Sequence, residues 1–95
     1  MTSQARGIED LRAQIDAIDQ AILRLLAERV QVVIDVGEYK RERGLPVYDA
    51  ERERSILDRI ARSAPVPLNQ DTARNIFDRI IDECRRIEQQ HVQQR

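Results

Sequence analysis

The segment IEDLRAQIDAIDQAILRLLAERVQVVIDVGEYKRER, residues 8–43, decides the fold of this chain. Its apolar residues recur in alternating steps of three and four, which is the spacing of one face of an α-helix. These residues are Ile8, Leu11, Ile15, Ile18, Ile22 and Leu25, and then, after a break, Val32 and Val36. We predict one helix from Ile8 to about Arg43, roughly 54 Å long at about 1.5 Å per residue. A domain of this size cannot wrap such a helix by itself, so a partner chain is predicted.

A cation interrupts this apolar series. Continuing the spacing beyond Leu25 leads to position 29, which holds Arg29. Lys40 follows eleven residues later and returns to within about 20° of the same helix face. Long cationic side chains at such positions often extend to water, which is the alternative interpretation. Two cations in register favour a function in binding an anionic group.

Composition restricts the fold and the function. A chain of 95 residues predicts a single domain over 1–95, with a core from about 8 to 90 and short flexible ends. Hydrophobic residues make up 41%, charged residues 35% and aromatic residues 3%, a helical composition. The net charge of −1 provides no overall field for nucleic acid or an anionic membrane, so an anion would be bound by a local cluster.

The cysteine content and the N-terminal sequence indicate the cellular compartment of the protein. Cys84 is the only cysteine, which excludes an intrachain disulfide and a thiolate metal site and fits a reducing compartment. The N-terminal residues contain no apolar run that could serve as a signal or membrane segment. We therefore expect a cytoplasmic protein.

Two further helices are predicted after the first. Gly44 supplies a left-handed cap for the first helix, and Pro46 prevents its continuation. Asp49 is a suitable N-cap for a second helix that ends near Ser63. The segment Ser63-Ala-Pro-Val-Pro67 breaks this helix, and Asn69 or Asp71 then caps a third helix that runs to about His91. No strand pattern is present, so the predicted fold class is all-α.

The two shorter helices each have an apolar face. Ile56, Leu57 and Ile60 define the buried face of the second helix. The stripe on the third helix consists of Ala73, Ile76, Phe77, Ile80, Ile81, Cys84 and Ile87. Glu88 follows Cys84 by one turn on the same face, and His91 is predicted to be a solvated residue near a fraying end.

Arg12 also lies beside the apolar stripe of the first helix. It is seventeen residues from Arg29, about 25 Å along the axis. One chain cannot easily bring both guanidinium groups to one small ligand. If two long helices pack antiparallel in a homodimer, the start of one lies beside the middle of the other. Arg12 of the partner subunit would then complete a site that the two chains share.

These residues resemble the all-α class of chorismate mutases. The pattern consists of Leu11-Arg12-x-x-Ile15-Asp16-x-x-Asp19, Leu25-Leu26-Ala27-Glu28-Arg29, Val36-Gly37-x-x-Lys40, and Pro46-Val47-x-Asp49-x-x-Arg52-Glu53. The resemblance covers about residues 8 to 90 and depends on the joint spacing of the cations and carboxylates. It implies three helices per chain, an intertwined homodimer with two shared sites, and a stand-alone enzyme without a fused dehydratase or dehydrogenase domain.

The resemblance implies an isomerase of aromatic amino acid biosynthesis in the shikimate pathway. Chorismate, a dianion, would rearrange to prephenate by an intramolecular Claisen reaction with no cofactor, no metal and no covalent intermediate. Catalysis would consist of orientation and preorganised electrostatics. Arg29 and the partner's Arg12 would bind the two carboxylates, and Lys40 would donate to the ether oxygen and a carboxylate.

The second helix would supply the remaining contacts to the ring. Glu53 and the backbone at Asp49 would hold the ring hydroxyl, and Arg52 would support the wall of the site. Asp49 is expected to cap the helix whether or not it also binds substrate. The alternative interpretation of Arg52 and Glu53 is that they are ordinary solvated residues in the first turn of the helix.

Two positions on the third helix depart from the best-known members of this family. Cys84 stands where the enteric bifunctional enzymes have Ser, so a hydroxyl contact to a carboxylate would be weakened or lost. Glu88 stands where those enzymes have Gln. A carboxylate would repel the charge that develops on the ether oxygen, so Glu88 must carry a proton to donate. Its alternative interpretation is a solvated residue near the helix end.

Other functions stay open at this point. Isochorismate pyruvate lyases share the fold and a similar cationic pocket, and aminodeoxychorismate mutases act on a substrate that differs at one ring substituent. The Asp49-x-x-Arg52-Glu53 string resembles the mutases more closely. A non-catalytic helical dimerisation module is a third hypothesis, and Arg29 and Lys40 argue against it.

Overall fold

The computed structural model describes residues 7–93, which form helices and short connecting loops. Its helices are α1 (Ile8–Glu42), α2 (Ala50–Ser63) and α3 (Gln70–Gln93). Residues 7–93 contain no strand. The predicted all-α class and the order of three helices are confirmed. None of the helices in this part of the chain is both long and apolar enough to cross a membrane.

The ends of the helices follow the predicted capping residues. Gly44 adopts a φ of 66° just after α1, a left-handed conformation that glycine tolerates best. Asp49 Oδ1 accepts a hydrogen bond of 3.0 Å from the backbone N–H of Arg52 and so caps α2. Asn69 Oδ1 accepts one of 2.8 Å from the backbone N–H of Thr72. Asn69 is therefore the cap of α3, and Asp71 lies in the first turn.

The chain divides between Gln31 and Val32 into two compact units. The described part of the first unit, residues 7–31, consists of Gly7 and the part of α1 that follows it. Its apolar stripe, from Ile8 to Leu25, is exposed, with fractions between 39% and 62%. A single helical segment has nothing of its own to bury such a stripe against.

The second unit, beginning at Val32, contains the core of the described residues. Ile56 and Ala61 from α2 are buried, as are Ala73, Ile81 and Cys84 from α3. The two helices pack through these residues. On α2 the prediction is confirmed for Ile56, whereas Leu57 and Ile60 are only half-buried and Ala61 was not predicted. Burial of this apolar surface is the main force that holds α2 against α3.

One residue of the predicted α3 stripe is exposed, and the other six are buried or half-buried. Ile76 is 48% exposed. Successive residues turn by about 100°, which places Ile76 roughly 100° from the mean direction of the buried α3 residues. The stripe is therefore wider than the buried face, and Ile76 lies at its edge.

Candidate active site

Lys40 is held in place at the C-terminal end of α1. Its Nζ donates a hydrogen bond of 2.8 Å to the backbone oxygen of Val47, in the loop before α2. The same Nζ lies 3.5 Å from Glu88 Oε2 on α3. The Lys40 side chain is 20% exposed and that of Glu88 is 10% exposed. A loop carbonyl and a carboxylate on another helix thus fix the ammonium group.

Gly37, one turn before Lys40, permits this approach of α1 to α3. A Cβ at position 37 would lie 2.9 Å from Glu88 Cγ and 3.2 Å from Val92 Cγ2. The first of these distances is well inside the ordinary contact distance of about 3.5–4.0 Å between carbon atoms. A side chain at position 37 would therefore displace Glu88.

Glu88 is a buried carboxyl group with an unsatisfied oxygen. The residue is 8% exposed, so its interpretation as a solvated residue is wrong. Within the described part of the chain, no group donates a hydrogen bond to Oε2. Buried polar atoms without partners are uncommon in folded proteins. The contact with Lys40, at 3.5 Å, is therefore an ion pair and not a hydrogen bond.

The surroundings of Glu88 raise its pKa. Burial raises the pKa of Glu88, because removing water penalises the carboxylate, and the negative charge of Glu53 raises it further. The positive charge of Lys40 opposes both effects. The net direction is upward, as the position of Glu88 on an apolar face predicted.

Glu53 is bound by a residue that the sequence analysis did not identify. Arg85 Nε donates a hydrogen bond of 2.9 Å to Glu53 Oε2, and Arg85 Nη2 donates one of 2.7 Å to Asp82 Oδ1. The guanidinium carbon of Arg85 lies 5.2 Å from the centroid of the Tyr48 ring. Glu53 and Arg85 are 32 residues apart, so no local pattern marked the pair.

An open cleft of about 490 Å³ lies beside Lys40 and the start of α2. This volume falls within the usual range of about 300–1,000 Å³ for small-molecule sites. The residues that line it are Lys40, Leu45, Pro46, Tyr48, Asp49, Ala50 and Glu51. Asp49 thus has two structural roles: it caps α2 and forms part of the cleft wall.

The other predicted site residues of the second unit differ in exposure. Arg52 is exposed, and its backbone N–H is used in the cap. Cys84 is a free thiol, 5% exposed, in the core between α2 and α3.

Arg12 and Arg29 belong to the first unit. Arg12 Nη1 lies 3.6 Å from Glu9 Oε2, and its side chain is 66% exposed. Arg29 is half-buried. The contacts of the described residues therefore bring together Lys40 and Glu88, with Glu53 close enough for its charge to act on Glu88.

His91 corrects one prediction. It was expected to be only a solvated residue, but its Nε2 lies 2.6 Å from Glu38 Oε2 and is joined to it by a hydrogen bond. The His91 side chain is 33% exposed. This bond links α3 to the last turns of α1, across 53 residues of sequence. Its partner is brought close only by the packing of the two helices.

The fold and these contacts define an all-α protein with an open cleft beside an ion pair of half-buried Lys40 and buried Glu88. The sequence profile of the family described as "Chorismate mutase type II" matches residues 11–89. A chorismate mutase of Methanocaldococcus jannaschii is 33% identical over 88 residues, which cover 92% of this chain and 89% of that protein. The chain belongs to the chorismate mutase type II family, and the predicted resemblance is confirmed.

Other relatives carry different names. A 4-amino-4-deoxychorismate mutase of Streptomyces venezuelae is 33% identical over 89 residues, covering 93% of this chain and 85% of that protein. The T-protein of Enterobacter agglomerans is 44% identical over 72 residues, covering 70% of this chain. The matched part spans only 19% of the length of that T-protein.

Solved structures agree with this assignment. Form II of the chorismate mutase from Thermus thermophilus matches with a TM-score of 0.83 and 35% identity, covering 86% of this chain and 93% of that one. A Helicobacter pylori chorismate mutase in complex with prephenate matches with a TM-score of 0.82 and 27% identity. That match covers 90% of this chain and 93% of the H. pylori chain.

Proposed function

We propose that this protein catalyses the rearrangement of chorismate to prephenate as an isomerase. The observation that carries the proposal is the pair of half-buried Lys40 and buried Glu88, in which Glu88 Oε2 has no hydrogen-bond donor among the described residues. Membership of the chorismate mutase type II family supports the choice of substrate. No atom enters or leaves the molecule, so the protein has only to orient the substrate and stabilise developing charge.

The reaction breaks the ether C–O bond between the ring and the enolpyruvyl group and forms one C–C bond. Negative charge gathers on the ether oxygen in the transition state, and preorganised donors there lower the barrier. Lys40 Nζ and a protonated Glu88 are the two proposed donors. The hydrogen bond from Lys40 to the Val47 carbonyl positions this donor in the protein without substrate.

The carboxylates and the ring require further contacts. Arg29 and the partner's Arg12 are proposed to bind the carboxylates, because a planar guanidinium pairs with a carboxylate through two hydrogen bonds. Glu53 and the backbone at Asp49 are proposed to hold the ring hydroxyl, with Arg52 supporting the wall and the Cys84 thiol near a carboxylate. No cofactor or metal is needed for these steps.

The proposal includes a homodimer, to which each chain contributes a single helical domain. The exposed stripe of α1, from Ile8 to Val36, supports it, because such a row of apolar residues is stabilised when another helix covers it. The distance along α1 between Arg12 and Arg29 also favours sites shared by two chains. We further propose a cytoplasmic location, which the single reduced cysteine fits.

A chorismate assay tests the function. Purified protein should consume chorismate, seen as loss of its ultraviolet absorbance, and produce prephenate without pyruvate. Pyruvate released from isochorismate would indicate a lyase instead. The similarity to the S. venezuelae enzyme favours 4-amino-4-deoxychorismate as the second candidate substrate. No turnover of any of the three compounds would contradict the proposal and favour a dimerisation module.

A further inference from the structure

Arg85 on α3 is a half-buried cation that the proposed mechanism does not use. Its side chain is 29% exposed, and that of Glu53 is 22% exposed. Two carboxylates, Glu53 and Asp82, accept hydrogen bonds from different nitrogens of its guanidinium group, and the Tyr48 ring lies 5.2 Å from its central carbon. These contacts approach the guanidinium from α3 itself, from α2 and from the loop before α2. Arg85 therefore has little freedom to move relative to Glu53.

The contact leaves Glu53 with one oxygen engaged. Arg85 Nε binds Oε2, so a donor group of a bound molecule would be received by Oε1. The guanidinium also offsets part of the charge of Glu53 at short range, while its Nη2 binds the second carboxylate, that of Asp82. Tyr48 lines the cleft and contacts Arg85, so this one side chain connects the Arg85–Glu53 pair to the cleft.

We propose that Arg85 is a positioning residue that makes Glu53 selective for a neutral ring hydroxyl over a charged ring amino group. The inference rests on the proposed function, in which Glu53 holds the ring hydroxyl of the substrate. A hydroxyl needs only an oriented acceptor, and the hydrogen bond from Arg85 orients one. An alkyl amine is positively charged at neutral pH. It gains less from a carboxylate that is already paired with a cation, and Arg85 repels it.

The test compares the kcat/KM for chorismate with that for 4-amino-4-deoxychorismate in the same preparations. The wild type should prefer chorismate. Arg85→Gln should lower the ratio of the two kcat/KM values by about tenfold, the size expected for one hydrogen bond to a charged group. Arg85→Lys keeps the charge and should retain most of the preference.

Arg86→Gln is the matched control. Arg86 follows Arg85 directly and also binds Asp82, through Nη2 at 3.2 Å, but its other partner is Glu83. Its substitution should leave the ratio unchanged. Glu53→Gln gives the opposite expectation. The amino group of 4-amino-4-deoxychorismate would lose the carboxylate at position 53 and still lie near Arg85, so the ratio of kcat/KM for chorismate to that for the amino compound should rise. If Arg85 had only a structural role, its substitution would change kcat/KM for the two substrates by the same factor.

The outcomes separate this inference from the proposed function. A wild type that turns over neither compound contradicts the function and overturns the inference with it. An active Arg85→Gln variant with an unchanged ratio of the two kcat/KM values overturns the inference but not the proposed function. The same holds if Arg86→Gln shifts this ratio as much as Arg85→Gln does. If Arg85→Gln does not fold, the Glu53→Gln measurement decides, and a ratio that fails to rise there overturns the inference.

Discussion

Among the residues that the structure describes, Glu88 is a carboxyl group buried in the protein rather than exposed on its surface. It is packed against Gly37 and Lys40 of α1, and the charge of Glu53 acts on it from α2. Burial outweighs the attraction of Lys40, so the pKa of Glu88 is raised. Only its protonated form can donate to an ether oxygen. Protonation of this one group therefore links pH to the proposed chemistry.

We predict that turnover falls as pH rises through the raised pKa of Glu88, which gives an acidic optimum. Below that pKa the carboxyl group donates, and above it the carboxylate repels the developing charge. Glu88→Gln supplies a neutral donor at every pH, so its profile should be flat and its activity near neutrality equal or higher. The measurement is kcat against pH for both proteins. A flat wild-type profile, or an acidic limb that persists in Glu88→Gln, would contradict this role.

Lys40 and Arg29 should differ in which kinetic constant they affect. Lys40→Ala removes a donor to developing charge, so kcat should fall by about 10² to 10³. Arg29→Ala removes a proposed carboxylate contact and should also raise KM. Steady-state kinetics of both variants check this. Arg41→Ala is the control, because Arg41 contacts Glu38 at 3.3 Å and should leave both constants near wild type. Near-native turnover of Lys40→Ala would exclude Lys40 from the mechanism.

At the scale of helices, α1 and α3 approach each other closely in the second unit because residue 37 is glycine. Lys40 contacts Glu88, and Glu38 contacts His91, so two polar links join the helices near Gly37. A glycine inside a helix lowers its stability by about 1 kcal/mol relative to alanine. The close approach to Glu88 provides a physical reason for a glycine at this position.

Gly37→Ala should therefore lower stability despite the better helix propensity of alanine. Overpacking typically costs about 1–3 kcal/mol, which exceeds the gain of about 1 kcal/mol in propensity. Because the added Cβ displaces Glu88, kcat should fall as well. Urea unfolding and kinetics measure the two effects.

Gly44→Ala provides the comparison. Nothing lies within 4 Å of a Cβ at position 44, but its φ of 66° strains alanine by about 1–2 kcal/mol. This variant should lose stability and retain kcat. If both variants lose stability with unchanged kcat, Gly37 affects only the packing of the helices and not the position of Glu88.

At the scale of the whole molecule, the first unit and the arginines on it point to a partner. The apolar stripe of α1 is exposed in the single chain, and Arg12 and Arg29 are separated by seventeen residues of helix. A symmetric dimer would cover the stripe with its own copy. We expect a dimer in sedimentation equilibrium at micromolar concentration, and a monomer there would contradict the proposal.

Shared sites predict complementation between inactive chains. Arg12→Ala and Arg29→Ala should each lack activity when pure. After subunit exchange, mixed dimers contain one site with both arginines, so equal mixing should restore about a quarter of the wild-type activity if exchange is statistical. Exchange is followed with differently tagged chains. Complete exchange without recovered activity would show that each chain builds its own site.

Much of the fold was predictable from the sequence because helix formation follows short-range rules. The three-four spacing located α1 and the apolar faces of α2 and α3, and local capping chemistry located Gly44, Asp49 and Asn69. The family pattern also depends on spacing along the chain, so membership could be predicted before any contact was known. Arg12 and Arg29 were found in this way, and their roles stay predictions.

By itself, then, the sequence determined the class, the helices and their caps, and the family, since each depends on residues near one another in the chain. The tertiary structure alone decided which charged groups pair. Glu53 binds Arg85 across 32 residues and Glu38 binds His91 across 53, and Glu88 loses its water through the packing of helices. Such pairings depend on how distant elements pack, and the local periodicity of a sequence does not contain that information.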